Sequence, residues 1–103
     1  MTRPIVDVAR HRGALFEVLQ ETSRSQTAVM TIAPGQDAGP EETHRRDQIV
    51  YVIDGEATVR IDGREDRAGA GHCVVIPAGA RHHVKNAGAT PLFFLTIYTP
   101  PVY

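Results

Sequence analysis

Apolar and polar residues alternate along most of this chain, in short runs that end at turn-forming residues. A period of two residues is the signature of a β-strand with one buried face. The runs predict strands at 25–33, 49–53, 56–61, 64–68, 73–76, 82–85 and 92–98. Asp62-Gly63 stands between two of them and is a strong signal for a type I′ hairpin turn. Short strands at this spacing are typical of an all-β sandwich or barrel.

Helical signal is scarce, because nine glycines and seven prolines interrupt the chain every few residues. Only residues 14–21 have a pattern that suits a short helix, and the same pattern also suits a strand. The segment 4–22 is a plausible edge strand that could cross to a second copy of the chain. The 103 residues are too few for two hydrophobic cores, so the sequence predicts one domain.

The overall charge argues against some classes of partner. Eleven Lys and Arg against twelve Asp and Glu give a formal net charge of −1, so no basic field is present to attract nucleic acid. No apolar run approaches the roughly 20 residues of a membrane helix. Cys73 is the single cysteine and no apolar leader opens the sequence, which together indicate a cytoplasmic protein without disulfides. Cys73 opens a β-branched run and is expected to be a small buried hydrophobe.

Residue types that commonly bind metals are grouped around two of the five histidines, His44 and His82. Glu42 and His44 are two residues apart, so on a strand they point to the same face, and Gln48 keeps that parity. His82 follows a Pro-Ala-Gly corner that fixes where the next strand begins. A carboxylate and two imidazoles match the two-histidine, one-carboxylate set that holds iron(II) and similar metals.

Each of these assignments has a plainer alternative. A Glu-x-His pair is commonly a solvated strand face, and the two histidines could be a buried polar pair bridged by water. Gln48 could orient a water molecule instead of binding an ion directly. A slip of one residue would replace Glu42 by Glu41. His83 has the parity opposite to that of His82 and is expected on the outer face.

Two spaced patterns resemble the signature motifs of the cupin superfamily. The second motif is matched position for position by Gly71-x5-Pro77-x-Gly79-x2-His82-x3-Asn86. The first motif usually reads His-x-His-x3–4-Glu-x6-Gly, and it is similar to Glu42-x-His44-x3-Gln48-x6-Gly55. The resemblance covers residues 25–101 and implies a small double-stranded β-helix, the jelly-roll or cupin barrel. It also implies a homodimer, in which the edge segment 1–24 could be exchanged between the two copies.

The first motif departs from the family at two positions, and the two changes together leave the charge of the ligand set unchanged. Glu42 stands where the family has its first histidine, and Gln48 stands where the family has its glutamate. One carboxylate is present in either set, so a divalent ion and its ligands carry one net positive charge in both. The resemblance therefore implies one divalent transition metal held by Glu42, His44, Gln48 and His82. Iron, manganese, nickel and zinc all accept such oxygen and nitrogen donors.

These ligands imply a mononuclear metalloenzyme with a small-molecule substrate. The substrate would be oxygenated (enolic, carbonyl or sugar-derived), and the chemistry Lewis-acid or O2-dependent, of dioxygenase or isomerase and ring-opening type. Tyr98 and Glu41 are the candidates for a general acid or base. The alternatives are a non-catalytic barrel that binds or senses a sugar or small acid, and an interaction module without a ligand. An apolar set could wall a ligand pocket or be ordinary core: Met30, Ile32, Val50, Val52, Val84 and Phe94.

Overall fold

The computed structural model describes residues 3–102 and contains eight strands and one short 3-10 helix, Val8–His11. The strands are β1 (Glu17–Glu21), β2 (Gln26–Ile32), β3 (Asp47–Asp54), β4 (Glu56–Ile61), β5 (Arg64–Gly69), β6 (Cys73–Ile76), β7 (His82–Asn86) and β8 (Leu92–Thr99). Each of the seven strands that the sequence predicts is present, with ends that differ by at most two residues. No helix among the described residues is long and apolar enough to cross a membrane.

The strands form two antiparallel sheets. The larger sheet has the order β1-β2-β8-β3-β6, and the smaller has the order β5-β4-β7. The inward faces of both sheets contribute to one hydrophobic core, as in a sheet sandwich whose strands bury alternate residues. This arrangement confirms the predicted all-β jelly roll. All six members of the apolar set named above lie in the core.

The turn between β4 and β5 has the conformation that its sequence predicts. Asp62 has φ 49° and Gly63 has φ 84°, and Ile61 pairs with Arg64 directly across the turn. Positive φ at both central residues defines the type I′ turn, whose twist matches that of the flanking strands. The hairpin places β4 in the middle of the smaller sheet, next to β7, which carries His82.

The segment with the ambiguous pattern forms a strand and not a helix. β1 pairs antiparallel with β2 of the same chain and is the edge strand of the larger sheet. Just before β1, the amide of Thr31 donates a hydrogen bond of 2.9 Å to the carbonyl of Ala14. This bond holds Leu15 and Phe16 against the mouth of a cavity between the sheets. Exchange of the N-terminal segment between two copies stays a prediction, and residues 1 and 2 of that segment lie outside the described residues.

The expectation that Cys73 is buried is wrong. Cys73 and Val75 are exposed on β6, Val74 is half-buried, and Ile76 is the fully buried member of the run. Val74 and Ile76 share the face of β6 that packs on the core, whereas Cys73 and Val75 share its opposite, outer face. A run that is apolar on both faces therefore has only one covered face.

Candidate metal centre

Glu42 and His82 are brought together by a two-residue backbone bridge. The amide of Glu42 donates to the carbonyl of His82 at 3.0 Å, and the amide of His82 donates to the carbonyl of Glu42 at 2.9 Å. The spacing of Glu42 and His44 predicts one strand for both, but residues 43–46 are not in a strand. The two side chains nevertheless lie close together. His44 is held by its carbonyl, which accepts a 2.8 Å hydrogen bond from the amide of Gly79 in the corner before β7.

The ligand atoms of Glu42, His44 and His82 lie within 4.8 Å of one another. Glu42 is exposed, His44 is half-buried and His82 is buried, so the group runs from solvent into the protein interior. The two imidazole rings meet edge to face, with their centroids 4.8 Å apart. A carboxylate and two imidazoles at this separation form a group that could hold a metal ion.

Both imidazoles turn the same nitrogen toward the backbone. Nδ1 of His44 lies 3.2 Å from the carbonyl oxygen of Arg46, and Nδ1 of His82 lies 3.2 Å from that of Ala80. A carbonyl oxygen only accepts hydrogen bonds, so each Nδ1 must carry the proton. In the neutral ring this leaves a lone pair on Nε2, which is the form that binds a metal. The backbone therefore selects the ligating tautomer of both histidines.

Gln48 supplies an independent test of whether a cation fits here. Its side chain is buried on β3, and its amide nitrogen donates to Thr96 Oγ1 at 3.0 Å and to Tyr98 Oη at 3.4 Å. Its Oε1 is buried and has no hydrogen-bond partner among residues 3–102. An unsatisfied buried oxygen is unfavourable, and a cation is one of the few partners that would satisfy it. The donor set therefore fits a divalent metal.

A cavity of about 230 Å³ opens beside these side chains. Glu42, Gln48, His82 and Tyr98 line one end of it, and apolar side chains line much of the rest. Tyr98 is buried, and its ring centroid is 5.8 Å from that of His44. It reaches this position because β8 alternates, which turns Thr96 and Tyr98 inward together.

Glu41 lies elsewhere. One oxygen of its carboxylate is 3.2 Å from Arg60 Nε, and the other is 4.0 Å from Arg81 Nε. It does not line the cavity that Glu42 lines. The register therefore puts Glu42, and not its neighbour, beside His82.

His83 is half-buried between the buried residues His82 and Val84 of β7, so it has the opposite parity that the sequence predicts, and it also borders the cavity. Its Nε2 is 3.2 Å from Asp37 Oδ2, and the other oxygen of Asp37 accepts a 3.0 Å hydrogen bond from the amide of Gly39. The Gly39 hydrogen bond is the main reason that the pKa of Asp37 is lowered, and His83 adds to it. These contacts hold residues 37–40 along the edge of the cavity. This loop was not predicted, since the chain contains no local signal for a contact 46 residues away.

The chain is similar to known proteins along most of its length. The family model described as "Cupin domain" matches residues 28–98. Uncharacterized protein YrkC of Bacillus subtilis (strain 168) is 32% identical over 82 aligned residues, which cover 74% of this chain and 44% of YrkC. This chain thus spans less than half the length of that curated relative.

Two solved structures have the same fold. Protein BH2720 of Bacillus halodurans superimposes with a TM-score of 0.89 at 29% identity, covering 98% of this chain and 84% of that one. Protein TT1209 of Thermus thermophilus superimposes with a TM-score of 0.85 at 26% identity, covering 95% of this chain and 98% of that one.

Proposed function

The chain belongs to the cupin family, and from this premise we propose that it is a mononuclear metal-binding protein whose centre acts on a small oxygenated molecule. The observation that carries the proposal is the unsatisfied Oε1 of Gln48, buried at the end of the cavity that Glu42 and His82 also line. Three further donor atoms converge within 4.8 Å, from Glu42, His44 and His82. A buried acceptor and two histidines with free Nε2 lone pairs are of little use to the protein without a cation.

Each protein group has a separate part in this proposal. Glu42, His44, Gln48 and His82 would hold the ion, with Glu42 as the single charged donor. When bound, a divalent transition metal supplies a Lewis acid that polarises a carbonyl or enol oxygen, and some such metals also support O2 chemistry. Tyr98 carries a phenolic proton at the same end of the cavity and is the group that we propose to donate it to a substrate oxygen. Dioxygenase and isomerase or ring-opening reactions are both consistent with these roles.

The metal test compares neighbouring glutamates. We expect protein purified without added metal, and then loaded, to hold about one iron, manganese, nickel or zinc ion per chain by elemental analysis. Glu42→Gln removes the charged donor at an exposed position and should weaken metal binding about tenfold or more. Glu41→Gln makes the same chemical change beside it, outside the cavity, and should leave the affinity as it was. Trace metal only, or equal affinities for Glu42→Gln and the parent, would overturn the proposal.

The reaction test follows on the loaded protein. Consumption of O2 with enolic or catecholic compounds would support a dioxygenase, and conversion without O2 would support an isomerase or ring-opening enzyme. Binding without conversion would identify the non-catalytic binder. We propose that Tyr98→Phe then lowers the rate more than it lowers substrate affinity, because it removes the phenolic proton. Its metal content is measured first, since the lost hydroxyl also accepts the 3.4 Å hydrogen bond from Gln48.

We also propose that the protein is a homodimer. Tyr51 and Val75 are 45% and 60% exposed on the outer face of two paired strands, β3 and β6. Large apolar side chains exposed side by side are more frequent at interfaces than on free surfaces. Light scattering should give twice the mass of one chain, and a monomeric mass at micromolar concentration would contradict the proposal.

A further inference from the structure

The lining of the cavity divides into a polar group and an apolar group. The polar group is Glu42, Gln48, His82 and Tyr98, in which Gln48 Nε2 lies 3.4 Å from Tyr98 Oη and Glu42 is bridged to His82. The apolar side chains come from the N-terminal segment, β2, β7 and β8: Leu15, Phe16, Met30, Val84 and Phe94. Phe94 pairs with Met30 and is four residues before Tyr98 on β8, so this pair lies about 13 Å along the strand from the polar end. A molecule that fills the cavity therefore meets polar groups at one of its ends only.

The wall contains no lysine or arginine among the residues that the structure describes. The one further basic residue at the cavity is His83, and its Nε2 faces the carboxylate of Asp37 at 3.2 Å. Glu42 adds a negative charge at the polar end. A carboxylate or phosphate placed against the apolar wall would lose its water and find no counter-charge, which is strongly unfavourable.

The cavity volume of about 230 Å³ is smaller than the usual drug-sized site. It admits one six-membered ring with short substituents, and Phe16 and Phe94 border its apolar part.

We propose that the substrate is a small molecule with an uncharged, apolar body and its oxygen atoms gathered at one end, such as a catechol or a compact enol. Phosphorylated sugars and sugar acids with hydroxyls on every side are disfavoured, because they would place polar groups against the apolar wall. This inference rests on the proposed metal-binding function and narrows its substrate class.

The test uses two catechols that share their pair of adjacent hydroxyls and differ opposite them. 4-Methylcatechol presents a methyl group to the wall, whereas 3,4-dihydroxybenzoate presents a carboxylate. Calorimetric titration of protein loaded with Zn²⁺, without O2, should show 4-methylcatechol binding about tenfold tighter or more. Equal affinities, tighter binding of 3,4-dihydroxybenzoate, or no binding of either compound to the Zn²⁺-loaded protein would overturn the inference.

A charge placed on the wall separates this explanation from a difference in chelating strength between the two compounds. Leu15 lines the cavity and is 61% exposed, so Leu15→Arg should fold and bring a cation to the wall. Val18 is 38% exposed on β1 and does not line the cavity, so Val18→Arg is the matched control. We expect the affinity ratio to shift about tenfold toward 3,4-dihydroxybenzoate in Leu15→Arg alone. An unchanged ratio in Leu15→Arg, or the same shift in Val18→Arg, would refute the argument.

Zinc content is measured before each titration, so the two proposals fail in different ways. Protein that takes up no Zn²⁺ contradicts the metal-binding function, and the inference falls with it. Protein that holds Zn²⁺ but prefers the anionic compound leaves the metal centre standing and removes only the substrate class.

Discussion

Replacing Gln48 by methionine should leave the stability of the metal-free protein nearly unchanged while it weakens metal binding. Methionine has nearly the volume of glutamine and adapts to its surroundings, so the core around β3 need not repack. The change removes an oxygen that is buried without a partner, and it removes the amide that donates to Thr96 at 3.0 Å and to Tyr98 at 3.4 Å. Weaker metal binding without a loss of stability is the result expected if that oxygen serves a bound cation.

The expected magnitudes follow from these contacts. Leaving a buried polar atom unsatisfied costs about 1–3 kcal/mol, and each of the two neutral hydrogen bonds contributes about 1 kcal/mol. Gln48→Met should therefore change the free energy of unfolding of the metal-free protein by no more than about 1 kcal/mol in either direction. Loss of Oε1 as a direct metal donor should weaken metal binding about tenfold or more, the effect that loss of a group hydrogen-bonded to a metal ligand commonly has.

Gln26 provides the matched control, because it is a buried glutamine with both ends of its amide engaged. Its nitrogen donates to Glu21 at 2.8 Å, and its oxygen accepts from the amide of Val102 at 3.3 Å. Gln26→Met should destabilise the protein by about 1–3 kcal/mol and leave metal affinity unchanged.

Urea unfolding in the presence of a chelator measures the stability of both variants, and competition with a chromophoric chelator measures their affinity for Zn²⁺. A destabilised Gln48→Met protein that binds Zn²⁺ as the parent does would refute the assignment of Gln48 Oε1 to the ion.

Two further predictions concern the framework of the site. Gly55→Ala should lower the free energy of unfolding by about 3 kcal/mol or more, because Gly55 has φ 85° and a Cβ there would lie 2.6 Å from the carbonyl oxygen of Pro91. Gly63 has nearly the same φ, 84°, but no atom lies within 4 Å of a Cβ built there. Gly63→Ala is therefore the control and should lower the free energy of unfolding, measured in urea, by only about 1–2 kcal/mol. Asp37→Asn should be less stable than the parent at neutral pH and about as stable in acid. The pKa of Asp37 is lowered in the folded protein, so its carboxylate stabilises the fold above the unfolded-state pKa. That stabilisation is lost as pH falls through the folded-state pKa. Urea unfolding of parent and variant is followed from pH 7 to about pH 2, and a difference between them that stays constant over this range would contradict the prediction.

Local sequence was sufficient for most of the strands. Alternation of apolar and polar residues sets which residues face the core, and turn residues such as Asp62-Gly63 set where a strand ends. β4 and β6 begin and end at the predicted residues. Both kinds of signal act within a few residues, so they can be detected without knowledge of the partners of each strand.

Features that depend on sheet order could not be predicted in this way. The pattern of residues 14–21 suited a helix and a strand equally, and the choice depends on pairing with β2. Cys73 was placed in the core because its run is β-branched throughout. Its exposure results from the alternation of β6, which turns Ile76 to the core and Cys73 to the outer face, and a run that is apolar throughout does not show which of its faces will be covered.

The residues of the candidate site were predictable, but the contacts that orient them were not. Motif spacing pointed to Glu42, His44, Gln48 and His82 as a group. The amide of Gln48, however, is oriented by Thr96, which is 48 residues away and carries no motif of its own. Orientation by distant side chains depends on the register between β3 and β8, which aligns Gln48 with Tyr98.

The structure also gives a physical reason for the two departures from the first motif. At position 48 the family has a glutamate, and in this fold that side chain is buried, where a carboxylate without a cation would be strongly unfavourable. The amide that this chain has instead is neutral and donates a hydrogen bond to Thr96. The carboxylate stands at Glu42, an exposed position where water can solvate it. The net charge around a divalent ion would be the same in both arrangements, but here the charged donor would be at the solvent side and the neutral donor in the core. We therefore expect this chain to tolerate loss of the ion better than the usual ligand set would, because no buried charge would be left behind.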